Sequence, residues 1–131
     1  TMTVPTVATY SAAAKIAAHT EFLALIDAGA AAGFVRIRDA ADVLLAQCPL
    51  DDPAGTVNGT TGQLTFAFNG RDEAADAGGT AAYAEFCDSD GTVHLALPAQ
   101  AGSVAVSGKI VLNTLTILLG QPVEITSATI G

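Results

Sequence analysis

Leu23-Ala24-Leu25-Ile26-Asp27-Ala28-Gly29-Ala30-Ala31-Ala32-Gly33-Phe34-Val35-Arg36-Ile37-Arg38 contains the change of period that decides the fold. Up to Ala28 the apolar residues recur at helical spacing. Ile16, Leu23 and Ile26 fall on one stripe, with His19 and Phe22 beside them. Beyond Gly33 the period drops to two, which sets Val35 and Ile37 on one face of a strand and Phe34, Arg36 and Arg38 on the other. Ser11 is an N-cap for a helix over 11–28, and Gly29 stands where a C′ glycine would end it. Residues 30–33 are then a short connector.

Working outward, the two-residue period recurs along the rest of the chain. A strand is expected over 43–50, ended by Pro49 and an Asp51-Asp52-Pro53 turn. After a turn marked by Asn58-Gly59, a strand over 63–69 sets Leu64, Phe66 and Phe68 on one face. Asn69-Gly70 opens a charged loop that runs to Gly79. Strands over 80–87 and 92–97 are joined by the hairpin turn Asp88-Ser89-Asp90-Gly91. Further strands are expected over 103–107, 109–119 and 123–130. Turn signals spaced at roughly 8–12 residues predict a mainly β chain. The expected form is a β-sandwich or jelly roll of about eight strands behind one N-terminal helix. Residues 1–10 read as an extended arm, and 11–131 as a single domain whose sandwich occupies 33–130.

Composition limits what such a domain can be. The 131 residues suffice for one buried core, yet 27 of the hydrophobic residues are alanines, which have little surface to bury. With five Phe, two Tyr and no Trp, the core must come mainly from Leu, Ile and Val. Of the net charge of −8, most sits in the middle of the chain: residues 51–90 hold eight acidic side chains against Arg71 alone. That balance argues against a nucleic-acid partner, which would need clustered Lys and Arg. Two readings of it stand, as solvated loops or as a face that meets a basic protein surface. The apolar run 12–34 is interrupted by Lys15, His19, Glu21 and Asp27, so no membrane span is expected. No basic leader precedes an apolar h-region, so export by the secretory route is not expected either.

The chemistry-bearing residues do not assemble into a reaction. His19 and His94 are the only imidazoles, one on the helix and one on a strand, and no G-x-S-x-G elbow accompanies them. Asp88-Ser89-Asp90-Gly91 matches the opening of a calcium loop, but the closing acidic position falls on Ala99. Cys48 and Cys87 lack the paired spacing of a zinc site; they read first as buried thiols, then as a disulfide, and last as a reactive or metal-bound thiol. No catalytic, cofactor-binding or metal-ligating residue is expected, and the chain is read as a non-enzyme. Arg36 and Arg38 project from one strand face about 7 Å apart. They suit either a fork for a partner's carboxylates or pairing with the chain's own acids. Thr3, Val4, Pro5, Val7 and Tyr10 of the arm are the other expected partner contacts.

The segment 23–39 also resembles a family of small structural proteins of tailed phages and prophages, in which a helix ending in Leu-(Leu/Ile)-Asp-Ala-Gly feeds a strand of Leu-Arg-Ile type. Matching segments follow in the same order: Leu44-Leu45-Ala46 before Asp51-Asp52-Pro53-Ala54, the hairpin 88–92, Leu112-Asn113-Thr114, and 123–130. The insert at 71–79 departs from the pattern, as does the lack of an aromatic often found near Tyr83. The resemblance implies a virion structural role, with no catalytic residues to carry over. The expectation it supports is a capsid decoration (cement) protein that stabilises the shell. Alternatives are a tail, baseplate or fibre-adaptor component and, from another class, a carbohydrate or host-surface binding module. It further implies other virion proteins as partners, a homo-oligomer, and location in the virion.

Overall fold

The computed structural model describes residues 9–131, among which one helix and nine strands form. They are α1 (Ala12–Ile26), β1 (Phe34–Arg38), β2 (Leu44–Val57), β3 (Leu64–Phe68), β4 (Gly79–Thr80), β5 (Tyr83–Cys87), β6 (Val93–Ala101), β7 (Lys109–Leu112), β8 (Thr116–Ile117) and β9 (Ile125–Ile130). Strands β1, β2, β3, β9, β7, β6 and β5 pair in that order, and β5 returns to β1. The chain is mainly β, as its periodicity requires. Its strands close a seven-stranded barrel where a sandwich or jelly roll was expected, and β4 and β8 form a separate two-stranded sheet.

Closure depends on β2. The expected turn at Asp51-Asp52-Pro53 is no turn, because β2 continues through it. Leu50 faces Phe68 and Gly55 faces Phe66, so the residues between them bulge out of the ladder. Such a bulge bends a strand and raises its twist, which lets β2 pair with β1 along one half and β3 along the other. The helix end fixes the bulge, since the Asp27 carboxylate accepts the Ala54 N–H at 3.1 and 3.3 Å.

Other boundaries move for similar reasons. The strand expected over 80–87 divides, because Ala81 N–H turns to the Leu115 carbonyl and Ala82 N–H to that of Arg38. Most of 103–107 is not strand. The loop 102–108 carries the chain back along the barrel, so that β7 runs parallel to β6. The strand expected over 109–119 breaks after Leu112, and only Thr116–Ile117 re-enters a sheet.

Helix α1 spans one end of the barrel. Its first turn is capped by Ser11 Oγ, which accepts the Ala14 N–H at 3.1 Å. Beside that turn, a Cβ on Gly62 would stand 2.5 Å from Lys15 Cβ, and at the far end one on Gly29 would stand 1.7 Å from Ser89 Oγ. Gly29 is therefore a point of close approach. It does not act as the expected left-handed cap; the helix ends at Ile26, with Asp27 as its C-cap. Leu23 and Ile26 are buried, and Phe22 meets Phe66 edge-on at 6.0 Å. Phe66 in turn lies 4.2 Å from Phe86, so aromatic contact runs from the helix into the barrel. The alternating faces hold: Val35 and Ile37 are fully buried, as are Leu64, Ile110 and Ala128.

The other end is covered by the segments 69–82 and 113–124. Ala75 N–H donates to the Gln121 carbonyl and Asp72 N–H to that of Val123, and Ala75, Ala81, Ile117 and Val123 are buried beneath. Among the described residues no helix is long and apolar enough to cross a membrane.

Candidate functional site

β1 places Arg36 and Arg38 on one outward face, as its period requires, but they do not form a fork. Arg38 Nε donates to Glu85 Oε1 across the β1–β5 pair, and Nη1 donates to the Asp42 carbonyl at 2.9 Å. The Glu85 bond pushes the Arg38 pKa further up. Tyr83 Oη donates to Asp42 Oδ1 at 2.6 Å, and that bond pushes the phenol up to about 12. Asp42 itself has φ +65, an uncommon backbone for a residue with a side chain. Arg38, Tyr83 and Asp42 thus pin the β1–β2 turn. Arg36 points the other way, 4.9 Å over the Phe34 ring and close to Gly91. Of the arm, Thr3, Val4, Pro5 and Val7 lie outside the described residues, and Tyr10 is exposed just before the helix.

The histidines and cysteines are likewise committed. His19 Nδ1 lies 2.7 Å from the Gly62 carbonyl, which ties the helix to the β2–β3 turn. His94 Nε2 lies 3.0 Å from Asp88 Oδ2, while Asp88 Oδ1 accepts the N–H groups of Asp90 and Thr92. The expected hairpin turn is present, built around this one carboxylate. Its pKa is lowered, first by the His94 bond. Cys48 and Cys87 are free and buried. They sit on strands flanking β1, opposite Val35 and Phe34, roughly two strand spacings apart and beyond disulfide reach. Burial pushes Cys48 up to about 11 and Cys87 in the same direction.

Much of the acidic content organises loops. Asp39 Oδ1 accepts the N–H groups of Ala41 and Val43, and Asp72 accepts those of Ala74 and Gln47. Among the described residues no group of three or more His, Cys, Asp or Glu is placed to hold a metal ion.

The open surface lies at the end away from the helix. A cleft of about 430 Å³ is lined by Leu112–Thr114, Thr116–Leu118, Gln121–Glu124 and Arg71. A second, of about 550 Å³, is lined by Phe68, Gly70, Arg71, Glu73, Glu124 and Ile125. It opens where β3 and β9 splay apart, since they pair only at Leu64–Ile130 and Thr65–Thr129. Arg71 and Glu124 line both clefts. Leu118 and Leu119, 61% and 70% exposed, project on the turn beside the first. Sequence reading placed these leucines inside a strand. The Gly120-Gln121-Pro122 segment that follows was the available signal that the chain turns there.

No protein family, curated protein or solved structure matches this chain.

Proposed function

We propose that the chain is a non-enzymatic structural protein of a tailed-phage virion, a capsid decoration (cement) protein that binds the shell and stabilises it. The observation that carries the adhesive part is the adjacent exposed pair Leu118–Leu119 beside a cleft rimmed by Arg71 and Glu124. A closed barrel offers little free strand edge, so adhesion falls to side-chain surface. Neighbouring exposed leucines within a polar rim have the composition of a contact patch. The virion assignment is supported by the resemblance of 23–39 and the segments after it to phage structural proteins. Identical copies arrayed on a shell gain from many weak contacts at once, which suits a small patch.

Gold-labelled antibody against the chain, applied to intact particles from the encoding strain, tests the assignment. Label spread over the shell supports it. Label confined to the tail transfers the protein to tail or baseplate adhesion, and unlabelled particles remove the virion role.

A further inference from the structure

Asparagine precedes glycine twice, at Asn58-Gly59 and Asn69-Gly70, whereas the third asparagine, Asn113, precedes a β-branched threonine. In an Asn-Gly pair the glycine nitrogen reaches the asparagine carboxamide carbon with little steric opposition, because no Cβ stands in the way. The fold treats the two pairs differently. Asn58 Oδ1 accepts N–H groups from Thr60 at 2.8 Å and Thr61 at 2.9 Å. The Asn58 N–H donates to the Gln63 carbonyl, and its own carbonyl accepts from Gly62, both at 2.8 Å. Swinging the Gly59 nitrogen behind the carboxamide carbon breaks this turn open.

Asn69 is held by one backbone bond, its N–H donating to the Pro49 carbonyl at 3.1 Å. Among the described residues neither its side chain nor the Gly70 N–H has a hydrogen-bond partner. Gly59 and Gly70 are both exposed with nothing within 4 Å of where a Cβ would be, so the difference lies in the hydrogen bonds of the two asparagines and in the φ of +98 at Gly70.

We propose that Asn69 is a site of spontaneous covalent modification and that Asn58 is protected. The Gly70 nitrogen attacks Asn69 Cγ and forms the new C–N bond. Ammonia leaves with the carboxamide nitrogen and the displaced proton, and water then opens the succinimide to aspartate or isoaspartate. The product adds a carboxylate between Phe68 and Gly70, two residues that line the second cleft. The isoaspartate form also lengthens the backbone where the chain leaves β3. This inference is independent of the proposed function.

The full-length chain is incubated at mildly alkaline pH, in buffer and in denaturant, and mapped by peptide mass spectrometry with enzymatic labelling of isoaspartate. In buffer Asn69 converts at least about tenfold faster than Asn58, since the Asn58 turn must first lose its hydrogen bonds. In denaturant the two rates converge, because local sequence then acts alone. Equal conversion in buffer, faster conversion at Asn58, or none at Asn69 while the denatured chain reacts would each overturn the proposal.

Discussion

Gly29 and Ser89 share a space that no Cβ can enter: one placed on Gly29 would stand 1.7 Å from Ser89 Oγ and 3.0 Å from Ser89 Cβ. This is where the helix end meets the β5–β6 turn. Gly29→Ala is therefore expected to cost about 1–3 kcal/mol in denaturant unfolding, the usual range for overpacking. Because the obstacle is a side chain, Ser89→Gly in the same chain should recover most of that loss. A double-mutant cycle reads the coupling directly, and strictly additive losses would place the strain elsewhere.

Gly33 makes a harsher contact of the same kind. A Cβ there would stand 2.3 Å from the Cys87 carbonyl oxygen, which is backbone and cannot rotate aside. Gly33→Ala is expected to cost about 3 kcal/mol or more, with no single side-chain change restoring it. A loss equal to or smaller than that of Gly29→Ala in the same titration would contradict the packing described.

The Asp88–His94 pair predicts a dependence on pH. A carboxyl whose pKa falls on folding adds stability above its unfolded value, about 3.9, and loses it as the pH drops through the lower folded value. Wild type should therefore exceed Asp88→Asn in melting temperature above about pH 4, with the gap closing in more acidic buffer. Asp27, raised chiefly by burial, acts with the opposite sign, but it is common to both chains and drops out of the difference. A gap independent of pH would mean that the charge of Asp88 contributes nothing.

The two thiols should be silent in the native protein. Both are fully buried and both are pushed away from the thiolate form. A thiol reagent at mildly alkaline pH should find none in the folded chain and both after denaturation without reductant. Absence of thiols in the denatured chain would reveal a disulfide and a different arrangement around β1.

Features set by neighbours in sequence were legible. The Ser11 cap, the face of β1, the alternation of β3 and the turn at 88–91 all depend on residues a few positions apart. Barrel closure depends on register between distant segments. The bulge in β2 is stabilised by Asp27 at the helix C-cap and by pairing with β3, so the local signal at Asp51-Asp52-Pro53 reads as a turn. The site was less legible than the fold. The shared face of Arg36 and Arg38 followed from period two, but the partner that occupies Arg38 is Glu85 on another strand. Leu118 and Leu119 read as the end of a strand because apolar content alone does not separate a strand from an exposed turn.

The contact patch is the claim on which the functional reading depends, and binding to shells stripped of decoration tests it most directly. Wild-type chain should co-sediment with the shells. Leu118→Lys combined with Leu119→Lys should stay in the supernatant while unfolding within about 0.5 kcal/mol of wild type per site, as exposed positions do. Equal co-sedimentation of the two chains, or none by wild type, would contradict the account.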